Sequence, residues 1–225
     1  MMAATVLALP FSGTWMAQNS PARRVPSHGV DLFGERYAID FVAVDRQRRT
    51  ADRRDWRSIF ATEPPERFRG FGLPILAPAD GVVVAVHDGE PDHDGRRSQL
   101  ALVPYALGQA GRLRNGVHAI AGNTVTIELR DGGAFVSLAH LRRGSIRVAA
   151  GDVIKVGQPI AECGNSGNST EPHVHLQVMD RADPLHAEGL PLAFRSFTEW
   201  RPGSALPSTV ETGIPGERSI VETID

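Results

Sequence analysis

The chain is almost without cysteine. Cys163 is the only one in 225 residues, so an intramolecular disulfide framework and a zinc site built from several cysteines are both excluded. A metal site would have to use histidine, aspartate and glutamate side chains. Cys163 itself follows the apolar pair Ile160-Ala161, where a small buried side chain explains it better than a catalytic nucleophile does.

Strong net charge and long apolar runs are also missing. The formal charge is −2, so no field of one sign attracts nucleic acid or an anionic membrane, and we expect no nucleic-acid partner. Nowhere do 18 apolar residues follow one another, which predicts no membrane span. The apolar run at residues 3–11 has no basic residue before it and is not a convincing export signal.

Glycine and proline, by contrast, are plentiful. The chain has 23 glycines and 16 prolines, which favours many short strands joined by turns over long helices. With 41% hydrophobic residues it is long enough to bury one substantial core. We therefore predict one globular domain of short strands joined by turns.

Residues 163–179 are the stretch with the clearest chemical content. A loop rich in Gly, Asn and Ser passes Pro172 and enters an alternating run at His173. Side chains at i and i+2 of a strand share a face, so His173 and His175 point one way and the apolar residues between them point into a core. Two imidazoles about 6 to 7 Å apart on one face can serve one metal centre. Without other context, two polar residues on a solvated strand are the simpler interpretation.

A second strand is predicted over residues 37–44, which are apolar on both faces. Asp40 lies in its middle, and a carboxylate there is costly unless it is paired, hydrogen-bonded or bound to a cation. Upstream, His28 and Asp31 belong to a turn-like segment. Asp31 is adequately explained as a solvated turn residue, whereas Asp40 indicates a functional site.

Further strands are predicted on either side of short turns. Residues 72–84 predict a hairpin with a tight turn at Asp80-Gly81. Asn123–Leu129 and residues 134–141 predict two strands about a turn at 131–133, with His140 on the same face as Val136 and Leu138. A histidine on an apolar face is more often a satisfied core residue than a catalytic one.

The composition divides the chain into five parts. We predict an N-terminal arm over 1–27 packed on a domain over 28–194, and a peripheral tail over 195–225. The domain is interrupted by insertions at about 46–70 and 88–122. The first is charge-dense, which is typical of a solvated face.

The second insertion contributes further histidines. His87, His93 and His118 lie in or beside it, and each alone is better explained as a surface or structural histidine. Residues 99–114 could form a short helix.

Four blocks of the sequence resemble the lysostaphin/LytM-type zinc endopeptidases, which cut peptide bonds in bacterial cell-wall peptidoglycan. They are His28 with Asp40 in YAIDF, GLPILAPADGVVV, GNTVTIELRDGGAFVSLAHL, and GDVIKVGQPIAECGNSGNSTEPHVHLQV. The last two are long and nearly continuous. The likeness covers about 25–44, 70–87 and 121–179, and leaves the insertions, the first 25 residues and the tail outside it.

The resemblance implies an all-β fold, with a mostly antiparallel β-sandwich or β-sheet core of the LytM type and short helices in the insertions. It also assigns roles to residues. The family's zinc ligands correspond to His28, Asp40 and His175, and its two catalytic histidines to His140 and His173.

One departure concerns the carboxylate ligand. The family usually places a glycine-preceded aspartate four residues after its first histidine, whereas His28 and Asp40 are twelve apart. Asp31 is therefore a rival ligand. We prefer Asp40 because YAIDF runs into the strand that the family's aspartate begins, and because a buried carboxylate needs a partner.

The activity implied is that of a zinc metalloendopeptidase acting on peptidoglycan cross-bridges or stem peptides. Zinc would activate a water molecule, and histidines would act as acid and base, since no glutamate adjoins a histidine as in HExxH. We expect a monomer. Family substrates lie outside the membrane, in the cell wall, although this chain shows no convincing export signal.

Two other functions stay open on the sequence alone. Some relatives have lost ligands and act as non-catalytic binding or activator modules, whereas here all five positions are filled. GDVIKVGQPIAE also resembles hairpins of biotinyl or lipoyl carriers and of sugar-phosphotransferase domains. A carrier needs its modified lysine at an exposed turn, but Lys155 lies between Ile154 and Val156. A phosphohistidine carrier would use its histidines without metal.

Overall fold

The computed structural model describes residues 3–52, 61–96, 117–130 and 133–224. Within them the all-β prediction is confirmed: there are thirteen strands, one short α-helix and two 3₁₀-helices. The strands are β1 Thr5–Leu7, β2 Trp15–Gln18, β3 Ile39–Ala43, β4 Pro74–Leu76, β5 Gly81–His87, β6 Asn123–Leu129, β7 Phe135–Leu141, β8 Val153–Ile154, β9 Pro159–Glu162, β10 Val174–Met179, β11 Leu192–Trp200, β12 Ser208–Gly213 and β13 Ile220–Thr223. The helices are α1 Val117–Ala121 and the 3₁₀ turns Glu35–Tyr37 and Pro65–Arg67.

Eleven of these strands form one large sheet. Its order is β1-β11-β13-β2-β3-β10-β7-β6-β5-β8, with β12 added on β11. Pairing is antiparallel throughout except between β1 and β11. β4 and β9 form a separate two-stranded sheet, and its Ile75 and Ile160 belong to the same hydrophobic core as the large sheet. The mostly antiparallel core predicted from the sequence is therefore present.

Both ends of the chain belong to the large sheet. β2 lies between β13 and β3, and β13 lies between β11 and β2. Phe11 and Trp15 stack with ring centroids 4.5 Å apart, and Phe11 meets Phe41 of β3 at 4.9 Å. This differs from the predicted peripheral tail over 195–225, because Phe197 and Val221 are fully buried there. The apolar run at residues 3–11 likewise serves the core.

The hairpin predicted over residues 72–84 is wrong. β4 pairs with β9, whereas β5 pairs with β6 and β8 in the other sheet. Between them Ala77 exchanges backbone hydrogen bonds with residues 157 and 158, at 2.9 Å each. The chain thus uses the Asp80-Gly81 turn to cross from one sheet to the other.

Lys155 is also placed differently from its sequence interpretation. It is exposed directly after β8, and its Nζ lies 3.2 Å from Asp80 Oδ2. β8 and β9 belong to different sheets, so Lys155 does not lie between two paired strands as it would in a carrier hairpin.

The helix predicted over residues 99–114 lies outside the described residues, as does most of the turn at 131–133. In the part of the chain that the structure describes, no helix has the length and apolar character needed to cross a membrane.

Candidate metal centre

Asp40 lies at the centre of the site, where three neighbouring strands bring polar groups to one face of the sheet. His175 of β10 lies opposite Asp40 of β3 on one side and Ala139 of β7 on the other. The residues flanking Asp40, Ile39 and Phe41, point into the core, so Asp40 itself points to the other face. It is 6% exposed, as the sequence predicted for a carboxylate inside a strand.

His28 and His175 both contact this carboxylate. His28 Nε2 lies 3.0 Å from Asp40 Oδ2, and His175 Nδ1 lies 2.9 Å from Asp40 Oδ1. One ligand atom from each of the three residues falls within 4.8 Å of the others. The rival Asp31 is exposed and pairs with Arg36 instead. The structure thus places Asp40, and not Asp31, beside the two histidines.

The ring nitrogen of His28 that points away from Asp40, here called its outer nitrogen, is held by Ser27. Its Nδ1 lies 3.0 Å from Ser27 Oγ, and that hydroxyl donates to the Glu35 carbonyl at 3.2 Å. Ser27 Oγ must then accept from His28, which places the proton on Nδ1. In a neutral ring the lone pair is on Nε2, and it faces Asp40.

The outer nitrogen of His175 is fixed in the same way by Gln177. Its Nε2 lies 2.9 Å from Gln177 Oε1, while the amide nitrogen of Gln177 donates to the Phe33 carbonyl at 2.7 Å. Nε2 is therefore the donor, and the lone pair of Nδ1 faces Asp40. Such outer contacts typically orient histidines that bind a metal.

Two imidazole lone pairs and a carboxylate that face one another repel unless a cation or protons lie between them. Two histidines and one aspartate are a donor set that suits zinc with a further coordination position left open. When no metal is bound, burial would lower the pKa of His175, but Asp40 raises that pKa to about 9. Burial would raise the pKa of Asp40, yet His28 and the other histidines hold it well below its usual range. The residues present therefore fit a bound zinc ion.

Asn19 is a contact that the sequence interpretation missed. Its Nδ2 donates to Asp40 Oδ2 at 2.7 Å, from the end of β2 and with a positive φ of 49°. Asn tolerates this conformation better than most residues. No motif marks Asn19, because the strand pairing of β2 with β3, and not proximity in sequence, brings it to the site.

His173 and His140 complete the set of five predicted site residues. His173 Nε2 lies 3.8 Å from Asp40 Oδ1, and the His140 and His173 ring centroids are 4.6 Å apart. The His140 ring centroid is also 5.9 Å from that of His175. All five predicted side chains therefore converge on one place.

His140 reaches the site by a route the sequence did not predict. Val136 and Leu138 point into the core, whereas His140 lines the same cavity as Ser137 and Ala139. The prediction that His140 shares a face with Val136 and Leu138 is wrong. The register between β6 and β7 shifts there, and His140 has a φ of 61°, so a bulge reverses the alternation.

The five residues line a cavity of about 530 Å³. Its apolar lining includes Val30, Leu32 and Ile120, and Val30 and Leu32 are also 47% and 55% exposed. His87 and His118, interpreted above as surface or structural histidines, line it too and stack with ring centroids 3.8 Å apart. The cavity therefore combines apolar side chains with the polar cluster.

Cys163 is fully buried in the core, and burial raises the pKa of its thiol. A buried, protonated thiol is a poor nucleophile. The structure therefore agrees with the interpretation of Cys163 as a packing residue.

Comparison with known proteins points to one family. Residues 106–187 match the sequence model "Peptidase family M23". This segment contains His140, His173 and His175, whereas His28 and Asp40 lie before it. A stretch of 78 residues is 36% identical to the "Peptidoglycan DD-endopeptidase ShyB" of Vibrio cholerae, and covers 34% of this chain and 18% of that protein. The match thus spans under a fifth of the relative's length.

Solved structures with some likeness include the catalytic domain of lysostaphin from Staphylococcus simulans and that of the M23 protein EnpA from Enterococcus faecalis. The first is 18% identical over 71% of this chain and 80% of its own, with a TM-score of 0.39. The second is 21% identical over 68% and 73%, also with a TM-score of 0.39. Scores this low support no assignment of function. The sequence match over residues 106–187 confirms the resemblance to the lysostaphin/LytM-type peptidases that the motifs indicated.

Proposed function

We propose that this protein is a zinc-dependent metalloendopeptidase in which His28, Asp40 and His175 hold the metal and His140 and His173 move protons. The observation that carries the proposal is the convergence of three ligand atoms within 4.8 Å, with both outer imidazole nitrogens already engaged by Ser27 and Gln177. The M23 match over the second half of the site supports the same conclusion.

Bound zinc would polarise the scissile carbonyl and make water a stronger nucleophile. His173 is oriented to accept a proton from the attacking water. Its Nδ1 lies 2.8 Å from the Glu171 carbonyl and 2.9 Å from Ser169 Oγ, and that hydroxyl donates to the same carbonyl. Nδ1 is thus the donor, which leaves Nε2 of a neutral ring unprotonated and turned toward Asp40.

His140 is oriented in the same manner. Its Nδ1 donates to the Ser166 carbonyl at 2.9 Å, so Nε2 is available to substrate in the cavity. Burial, and then the neighbouring rings of His173 and His175, lower the pKa of His140 well below its usual value. An uncharged His140 can take a proton from the attacking side and return it to the leaving amine.

The proposed substrate is a peptide of bacterial peptidoglycan, either a cross-bridge or a stem peptide. The similarity to the peptidoglycan DD-endopeptidase of Vibrio cholerae supports this class. A cavity that combines apolar walls with a polar floor also suits a peptide held in an extended form.

The proposal is tested by incubating the protein with purified peptidoglycan and with synthetic peptides, then identifying the newly formed ends by mass spectrometry. We expect new amino and carboxyl termini within a peptide, formed only by the zinc-loaded protein. A zinc-loaded protein that releases no such ends from any of these substrates would refute the proposed function.

A further inference from the structure

A short segment near the start of the second insertion lies beside the site. None of the residues of this segment lines the cavity. Residues 92–96 are here called the strap, and residues 164–171 the histidine loop. The strap is outside every block of the family resemblance, and the sequence indicated only that His93 is a surface or structural histidine. Its contacts nonetheless lead directly to the two histidines proposed to move protons.

Asn165 of the histidine loop is hydrogen-bonded to the strap through both its backbone and its side chain. Its backbone N–H donates to Asp92 Oδ1 at 2.7 Å. The His93 N–H donates to the Asn165 carbonyl at 3.2 Å, and Asn165 Nδ2 donates to the His93 carbonyl at 2.6 Å. The backbones of strap and loop are therefore held together at this point.

The His93 ring and the next part of the strap extend the attachment. His93 Nε2 donates to the Gly167 carbonyl at 2.7 Å, while its Nδ1 lies 3.2 Å from Asn165 Nδ2. Further along, the Arg96 N–H donates to the Thr170 carbonyl at 2.6 Å. The strap thus contacts the histidine loop near its beginning, middle and end.

The histidine loop in turn fixes the two proton-moving histidines. His140 Nδ1 donates to the Ser166 carbonyl at 2.9 Å, and the Gly164 N–H donates to the His140 carbonyl at 3.1 Å. His173 Nδ1 contacts the Glu171 carbonyl at 2.8 Å and Ser169 Oγ at 2.9 Å. Each ring therefore takes its orientation from atoms of the loop that the strap holds.

Asp92 also reaches the other side of His140. Its Oδ2 accepts from the backbone N–H of Arg143 at 3.0 Å, just beyond the end of β7. One carboxylate thus joins the segment that follows His140 to the loop that bonds the His140 ring. The fit is tight, because a Cβ added at Gly164 would lie 2.4 Å from the Arg142 backbone and 2.6 Å from Asp92 Oδ1.

We propose that the strap is a positioning element for peptide hydrolysis, which sets the ring orientations of His140 and His173 through the histidine loop. Asp92 and His93 are positioning residues, since neither touches the proposed zinc ligands or lines the cavity. The inference rests on the proposed function for its effect on rate. A displacement of a catalytic group by about 1 Å can reduce a rate by about a hundredfold, so loosening the loop is expected to act on turnover.

The test compares Asp92→Ala and His93→Ala with the control Asp94→Asn in the full-length, zinc-loaded protein. Asp94 belongs to the same strap, but its carboxylate accepts from Thr62 Oγ1 at 2.7 Å and not from the histidine loop. We expect kcat on a cleaved peptide to fall by about tenfold to a hundredfold in the two alanine variants. KM, zinc content and the control's kcat should stay near their wild-type values.

A second readout does not depend on activity. The ¹⁵N signals of the His140 ring report which nitrogen carries the proton; we expect the Nδ1–H form in the wild type and the control, and a mixture in the alanine variants. If Asp92→Ala does not fold, His93→Ala decides by the same criteria, because it removes only ring contacts. Wild-type kcat and an unchanged His140 signal in His93→Ala would overturn the inference. A wild type that cleaves nothing would refute the proposed function, while the ring signals would still decide the role of the strap.

Discussion

At the scale of single residues, the proposed roles separate metal binding from proton transfer. His175 contacts Asp40 at 2.9 Å, whereas the Nδ1 of His140 donates to a backbone carbonyl and only its ring approaches the cluster. His175 and His140 are similarly buried, at 6% and 7% exposed, but their removal is predicted to have different effects.

We expect His175→Ala to lose stoichiometric zinc, because two ligands remain where zinc normally has at least three from the protein. His140→Ala should keep zinc and lose turnover by about a hundredfold or more, the usual contribution of a general acid or base. Metal analysis by mass spectrometry and peptide cleavage are measured on the same samples. Full activity in both variants would show the assignment to be wrong.

Gln177 is predicted to control zinc affinity without contacting the metal. Its Oε1 accepts from His175 Nε2 at 2.9 Å and so keeps the lone pair of Nδ1 toward Asp40. Gln177→Ala should weaken zinc binding by about tenfold to a hundredfold. Competition with a chelating dye measures the affinity. Gln177→Glu retains an acceptor and should bind zinc more tightly than Gln177→Ala; equal affinities in these two variants would contradict the role.

At the scale of strands, the alternation of side chains between the two faces was predictable from the sequence. The positions at which this alternation is interrupted were not. The face shared by His173 and His175 follows from strand geometry, and so does the placement of Asp40 opposite the core side chains of β3. His140 needed a bulge that no local residue pattern signals, because it arises from the register between β6 and β7. The crossing at Asp80-Gly81 escaped prediction for a similar reason: a hairpin and a change of sheet have the same turn residues.

The close pairing of β5 with β6 is predicted to depend on Gly81. A Cβ there would lie 2.3 Å from the Glu128 carbonyl oxygen and 2.7 Å from Ile127 Cγ2, so the backbone must shift to admit alanine. Gly81→Ala should reduce the free energy of unfolding by about 1 to 3 kcal/mol, as overpacking does. Thermal unfolding is compared with Val82→Ala, at a neighbouring position that is 37% exposed. An unfolding midpoint of Gly81→Ala at or above that of Val82→Ala would contradict the expected clash.

At the scale of the whole molecule, the two chain ends complete the sheet that carries the site. Asn19, directly after β2, donates to Asp40, and β2 pairs with β13 on its other edge. Composition alone suggested a peripheral tail, because residues 201–225 are acidic and rich in proline, glycine and serine. In the structure, residues 201–213 are mostly exposed. The buried Ile220 and Val221 lie beyond that stretch, in a strand too short to stand out in the sequence.

Removing residues 214–225 is therefore predicted to destabilise the protein strongly, because it deletes β13 and uncovers an edge of β2. A two-residue Gly-Ser insertion after Gly203 is the control, since this position is exposed and a Cβ there meets no atom within 4 Å. Circular dichroism during heating follows both variants. If the truncated chain unfolds at the wild-type temperature, the C-terminal strand is not an integral part of the fold.

The central claim, that zinc held by His28, Asp40 and His175 is required for peptide hydrolysis, is tested most directly by one titration. Zinc is removed with a chelator and returned in steps, and the rate of peptide cleavage is plotted against zinc bound per chain. We expect no hydrolysis without zinc and a linear rise in rate that ends at one zinc per chain. Undiminished hydrolysis by the zinc-free protein would contradict it.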